Sequence, residues 1–465
     1  MHKTPNAIRK NDFLLYSSLF LLSGTLIVLS IYFPLIILSS SILFFAFSFI
    51  YFKKYTYPFL VTTLVLCHYF IIQNDTEISY GEIAFFILMM FLSIDFIARN
   101  LIINKSPFLL FFEDKILILY FIYCSLLIPI AIFNNSEILM FFREMFPFAI
   151  IGLFFIYRHW SIKVINLKWI LLGSLIFLSL IIAFKNLYGY KTGLAVANYY
   201  YEIIGIRKSA NEPFLMTSIS ILIPLIFYTK NNFLKIMLGF LSIIFAAALV
   251  LTFSRGYWVG ILLILGFIFI FESPRNKKYM FVSALIIVLF SLVFFKLLLP
   301  DIFDFLVSSI FDRFLSVGGA TSKDMSFLNR IAEWKSLIKW IEVNPIVGYG
   351  FGSKFYFHDI LKHEISNVYY SHNLYLYLIF KTGIVGLFIF MTFYFSVIIR
   401  GIKLICRLEG SMDKSIIIGL TSLLIVNLLV SISSPQLIQK DSNLVVAISV
   451  LFIQLTDLKF SKTTG

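Results

Sequence analysis

The sequence predicts an all-α polytopic membrane protein of about 12–14 transmembrane helices with one large extramembrane loop domain. Three observations predict it. The chain is 60% hydrophobic and 18% aromatic, with 13% of residues charged and a mean hydropathy of +0.94. Its apolar residues form continuous runs, such as 236–252 and 280–299, without the strict alternation of barrel strands. Its basic residues gather in every second connection between runs.

Taken in order, the runs place spans near 13–30, 34–52, 57–72, 83–103, 116–133, 142–157, 169–185, 213–228, 236–252, 257–271, 279–299, 384–404, 415–433 and 444–457. The tight junction at Pro34 leaves room for one or two fewer. With the N-terminus inside, inner connections carry Lys53, Lys54, Lys105, Lys115, Arg158, Lys163, Lys168, Lys230, Lys235, Arg275, Lys277, Lys278, Arg400, Lys403, Arg407 and Lys414. Outer connections such as 73–82 and 134–137 are polar or acidic. The bias agrees with span parity throughout and puts both termini in the cytoplasm. Three regions follow: a bundle over 1–299, a large outer loop over 300–371 and C-terminal helices over 372–465.

The net charge of +14 would suggest nucleic acid in a soluble protein, but here topology accounts for it, and nucleic acid is not an expected partner. Cys67, Cys124 and Cys406 have neither redox-motif nor metal-ligand spacing. The basic start runs straight into a full span, which reads as a retained first helix. No phosphate-cradling glycine loop, nucleophile elbow or metal-binding helix pair is found. Asp95 is the clearest charge within a predicted span, whereas a proton-coupled carrier needs more.

Two outer connections are long. The stretch 186–212 is rich in Tyr and Gly. Within 300–371, Ile331, Trp334, Leu337, Ile338 and Ile341 recur at helical spacing, with Arg330, Glu333, Lys335, Lys339 and Glu342 on the other faces. This predicts an amphipathic helix lying on the outer leaflet, with Trp334 and Trp340 at the interface.

Four constellations could carry chemistry. Thr252-Phe253-Ser254-Arg255-Gly256-Tyr257-Trp258 is a short outer hairpin. Ser254 can cap the next helix, and a guanidinium at a helix N-terminus suits phosphate. The plainer reading makes Arg255 a snorkelling anchor beside Trp258. Arg330 shares a helix face with Trp334, and alone it reads as a solvated charge. In Ser371-His372-Asn373, Ser371 is expected as the N-cap, placing His372 in the first turn of a helix. There the dipole disfavours imidazolium and leaves a base able to accept a proton, although a lone histidine is more often structural. His358 and His363 are nearby without metal-ligand spacing to it. Arg207, ahead of Asn211-Glu212-Pro213, is a second anion contact or part of a simple helix start.

Together these pieces resemble the O-antigen ligase and O-antigen polymerase superfamily of integral membrane glycosyltransferases. The resemblance rests on Thr252, Ser254, Arg255 and Gly256, then Arg330 and Trp334, then Asn344, Pro345, Gly348 and Gly350. It ends with Ser371, His372, Asn373, Gly383 and Gly386, and covers roughly 205–390. At Arg207 the family's glycine between arginine and proline is missing.

The resemblance implies a metal-independent, inverting GT-C enzyme of the bacterial inner membrane, active at the periplasmic face and without cofactor. Its donor would be an undecaprenyl-diphosphate-linked oligosaccharide. Its acceptor would be a glycan on a lipid carrier or on lipid A-core, as in lipopolysaccharide biosynthesis, with a chain-length regulator protein as a further partner. His372, Arg255 and Arg330 would be catalytic. Arg207, Ser254, Tyr257, Trp334, Gly350 and Asn373 would bind substrate. Fourteen spans and two long loops favour a polymerase over a ligase. A flippase should instead carry its basic residues within the spans.

Overall fold

The computed structural model describes residues 110–163, 167–196, 212–252, 254–273, 276–279 and 325–464, with isolated positions among 89–96 and 282–297. The spans expected near 13–30, 34–52, 57–72, 83–103 and 279–299 fall outside its continuous stretches, as do Arg207 and 300–324. Among the described residues the helices are α1 Phe112–Leu126, α2 Ile128–Phe133, α3 Ile138–Ile151, α4 Leu153–Lys163, α5 Leu167–Val196, α6 Glu212–Tyr228, α7 Asn232–Val250 and α8 Arg255–Phe271. After these come α9 Met325–Val343, strands β1 Phe355–Asp359 and β2 Glu364–Val368, then α10 Leu374–Arg407, α11 Met412–Val430 and α12 Lys440–Thr464.

Seven described helical stretches are long and apolar enough to cross a membrane, and α6 and α8 are shorter apolar helices. The chain is an all-α multi-pass membrane protein. One compact unit includes Phe154–Ser179, where the Arg158 guanidinium lies over the Phe154 and Phe155 rings. The other contains Leu109–Leu153 and everything from Leu180 onward, and all further contacts described belong to it.

Three sequence expectations change. Helix α5 continues to Val196, so the outer connection expected at 186–212 is shorter. Helix α9 forms as predicted, but its inner face is turned to protein. Leu337 is fully buried with Phe355, Phe357 and Phe380, with Trp340 and Ile341 packed against them, while Ile338 is exposed. The cover is an unpredicted antiparallel hairpin of β1 and β2. Phe355 and Phe357 alternate inward from β1, while Tyr356 and His358 face out. His363, in the turn, takes a positive φ of 55°.

The third change concerns α10, which starts at Leu374 and is broken at Gly383 (φ 66°, ψ −179°). The missing helical bonds are replaced by the loop after α9. Tyr349 and Gly350 donate their N–H groups to the carbonyls of Phe380 and Lys381 (2.8 and 2.9 Å). Ile384 and Val385 donate to the carbonyls of Pro345 and Ile346 (2.9 and 3.4 Å). The Thr382 carbonyl accepts from the Tyr123 hydroxyl (2.8 Å). Asn344 closes the loop onto the Gly348 carbonyl (2.7 Å). Beneath it, Lys381 is fully buried and bonds both carboxylate oxygens of Glu144 (2.9 and 2.8 Å) and the Ser353 carbonyl (2.6 Å). Glu144 also accepts from the Gly352 N–H.

The helix ends sort into two sets. Tyr228 at the end of α6 bonds Glu272 just past α8 (3.1 Å). In the same set, Lys459 pairs with Asp413 (2.8 Å), and Arg400 bridges Glu113 (2.7 Å) and Asp457 (2.5 Å). The starts of α8, α10 and α12 and the end of α11 lie at the opposite ends of those same helices.

A Cβ on Gly383 would run into the Ile346 carbonyl, and its backbone lies where side chains are disfavoured. Gly383→Ala is expected to cost on the order of 3 kcal/mol or more. Gly239 in α7 has open space around it, so Gly239→Ala serves as the neutral comparison. Thermal midpoints of the two detergent-purified variants check this, and equal midpoints would contradict it.

Candidate functional site

Asn373, rather than Ser371, caps α10. Its Oδ1 accepts from the Tyr375 and Leu376 N–H groups (2.9 and 3.0 Å), while the Ser371 Oγ accepts from the Asn373 N–H (3.2 Å). The serine oxygen is used in a local turn, and asparagine is an equally good cap. His372 therefore precedes the helix and does not sit in its first turn. The start of α10 is held by α11: the Leu374 N–H donates to the Ser431 carbonyl (3.0 Å) and the Tyr375 hydroxyl to the Leu428 carbonyl (2.7 Å).

His372 meets Glu333 of α9 twice. Its backbone N–H donates to Oε1 (2.8 Å), and Nδ1 lies 2.6 Å from Oε2. The Glu333 side chain is 3% exposed and the His372 side chain 43%. A carboxylate accepts only, so Nδ1 is the donor in this contact, and in the neutral ring Nε2 is then the accepting nitrogen. The Tyr370 ring approaches the imidazole, with centroids 6.4 Å apart.

One turn before Glu333, Arg330 donates from Nη1 to the Ser433 carbonyl (2.8 Å). Trp334 follows, its indole N–H buried without a hydrogen-bond partner among the described residues.

Ser254 occupies the cap position of α8 as expected, but its hydroxyl makes no cap bond. The start of α8 lies close to the end of α11: Cβ atoms added at Gly256 and Gly260 would stand 3.4 Å from Val430 and 3.1 Å from Val426. Tyr257 is buried and donates to Gln436 Oε1 (2.9 Å). Arg255 is the first residue of α8 and so begins beside this contact. Gly350 (φ 83°) is buried against Ala131 and gives its N–H to Lys381, which places it in the loop that supports α10.

The structure thus gathers three separated motifs on one segment, residues 428–436, which receives Arg330, Tyr257, the Leu374 N–H and the Tyr375 hydroxyl. Sequence reasoning missed this segment and Glu333. The signal for the segment was Ser431-Ile432-Ser433-Ser434-Pro435-Gln436, a polar run between two spans. The signal for Glu333 was its position one turn after Arg330. The result is a histidine held by Glu333 and a guanidinium from the same helix as Glu333. Such a set can take a proton from a hydroxyl and hold an anionic leaving group.

Residues 240–391 match the family model described as O-antigen ligase. The matched range contains Arg255, Arg330, Glu333, Gly383 and His372, and stops short of 428–436. No curated protein matches the chain.

Asn373→Ala removes the cap of α10 and is expected to cost about 1 kcal/mol, while Asn373→Ser or Asn373→Asp should retain most of it. Thermal midpoints of the three variants check this order. A midpoint for the alanine variant equal to that of wild type would separate Asn373 from the stability of α10.

Proposed function

We propose, from the match of residues 240–391 to the family model described as O-antigen ligase, that the chain is a glycosyltransferase polymerising repeat units of O-antigen or a similar surface polysaccharide. Its donor is an undecaprenyl-diphosphate-linked oligosaccharide, and its acceptor is the glycan on a second lipid carrier. The observation that carries this reading is that Arg330 stands on α9 one turn from Glu333, which holds His372.

His372 Nε2 takes the proton from an acceptor sugar hydroxyl. The freed oxygen attacks the anomeric carbon from the face opposite the diphosphate, forming the new glycosidic bond with inversion. The bond from the anomeric carbon to the diphosphate oxygen breaks, and its electron pair leaves with undecaprenyl diphosphate. Guanidinium groups of Arg330 and Arg255, with Arg207, take up the charge on that leaving group. Ser254 and Trp334 line the approach, the buried Tyr257 ties the start of α8 to Gln436 rather than meeting substrate, and grooves between helices accept the prenyl tail.

Sidedness follows from charge. The helix ends opposite His372 carry Lys230, Lys235, Lys277, Lys278, Arg407 and Lys414. By the positive-inside bias those ends face the cytoplasm, and the site faces the periplasm of the inner membrane. Lys381, the basic residue buried within α10, is already engaged by Glu144. That is unlike the open cationic cavity a flippase needs.

A ligase reading, with lipid A-core as acceptor, is favoured by the family model's own description. Deleting the gene in its host decides between them. A polymerase deletion leaves a single repeat unit on lipid A-core. A ligase deletion leaves a bare core and long glycan on undecaprenyl diphosphate. Complementation with His372→Ala or Arg330→Ala should reproduce the deletion pattern, whereas restoration of wild-type glycan by both would remove the catalytic assignment.

A further inference from the structure

Glu333 is an expensive residue where it stands. It lies on the inner face of α9 close to Leu337, with 3% of its side chain exposed. A buried carboxylate costs several kcal/mol unless it is well paired. The structure pairs it with the Nδ1 of the His372 imidazole and with the His372 backbone N–H. A purely architectural role, fixing the chain ahead of α10, needs one acceptor for that N–H. An asparagine or glutamine oxygen would supply one without burying a charge. The second oxygen, on Nδ1, is unexplained by architecture.

We infer that Glu333 is the positioning residue of the reaction, setting the tautomer and the orientation of His372 so that Nε2 faces the acceptor hydroxyl. This deepens the glycosyltransferase reading and rests on it. One carboxylate oxygen fixes the backbone of residue 372, and the other holds Nδ1–H, so ring and main chain are located by the same group. When the hydroxyl proton moves to Nε2, the imidazolium has a carboxylate 2.6 Å from Nδ1. No proton needs to pass to Glu333; its charge stabilises the ion that forms. Glu333 and Arg330 lie three residues apart on one helix, so the docking of α9 on the hairpin sets the base and the diphosphate contact in one step.

The test is Glu333→Gln. The side chain keeps its shape but has one acceptor and one donor where two acceptors are used. It either abandons the His372 N–H or turns an N–H towards Nδ1, which would move the ring proton to Nε2. The assay uses the detergent-solubilised full chain and the lipid-linked oligosaccharide pool extracted from the deletion strain. We expect kcat to fall by about 100-fold or more with KM within about threefold. The thermal midpoint should stay within a few degrees of wild type. His372→Ala should fall to a similar floor. Adding Glu333→Gln to His372→Ala should cause no further loss, because the two act as one unit.

Wild-type kcat in Glu333→Gln overturns the inference, as does an additive loss in the double variant. A fall in midpoint that accounts for the lost activity also overturns it. If Glu333→Gln fails to accumulate in the membrane, Glu333→Asp decides. Its two acceptors on a shorter arm should give partial kcat at wild-type KM, and unchanged kcat would again overturn the assignment. Retention of wild-type activity by His372→Ala would instead remove the base from the parent reading. Loss in His372→Ala with none in Glu333→Gln removes only the positioning role.

Discussion

The arrangement depends on the break in α10 at Gly383. A helix interrupted inside an apolar bundle leaves carbonyls and N–H groups without partners, and each would cost several kcal/mol in that setting. Here the carbonyls of Phe380 and Lys381 and the N–H groups of Ile384 and Val385 are all taken by residues 345–350. Two helical bonds are exchanged for four bonds to a loop, so loop and break cannot exist apart. The glycines follow from that closeness. Gly348 has φ 75°, and a Cβ on it would stand 2.6 Å from the Gly383 nitrogen. Gly348 is therefore a physical requirement of the break, while Gly350 (φ 83°) is required by its contact with Ala131.

What the break supports is the stub of α10 from Leu374 to Thr382. Phe380 on this stub joins Leu337, Phe355 and Phe357, and that cluster is where α9 and the hairpin dock. Ile360 reinforces the docking through the Asn329 side chain (2.7 Å). Lys381 on the same stub reaches Glu144 in α3 and the Ser353 carbonyl. The loop, the hairpin, α9 and α3 are thus tied to nine residues of one helix. Arg330, Glu333 and His372 keep their spacing because the elements carrying them share that anchor.

Membrane helices were readable because a continuous apolar run is a strong, local signal, and α1, α3, α6, α7, α8, α11 and α12 lie where their runs predicted. Features set by tertiary contact were not. The expected span began at 384, whereas α10 begins at Leu374 and carries the buried Lys381, whose partner lies 237 residues away in sequence. The hairpin was hidden because Tyr356 on its outer face is aromatic like Phe355 and Phe357 on the inner one, so alternation was masked. The cap at Asn373 competed with an equally good Ser371, and only the turn between them decides. Glu333 read as one more charge on an amphipathic helix, since its value depends on a histidine 39 residues further on.

The helix termini at the site have opposite polarity, and this bears on how it can wait for an anion. The N-terminus of α8, where Arg255 begins, carries the positive end of a helix dipole, and the C-terminus of α11 beside it carries the negative end. Arg330 rests on the Ser433 carbonyl just past that negative end. That carbonyl takes up part of its charge. A neutral carbonyl is a weaker acceptor for guanidinium than a phosphate oxygen. On the proposed reading, an arriving diphosphate would exchange the Ser433 carbonyl on Arg330 for a phosphate oxygen and meet the N-terminus of α8 beside it. Segment 428–436, outside the family match, is thereby bonded to the motifs within it.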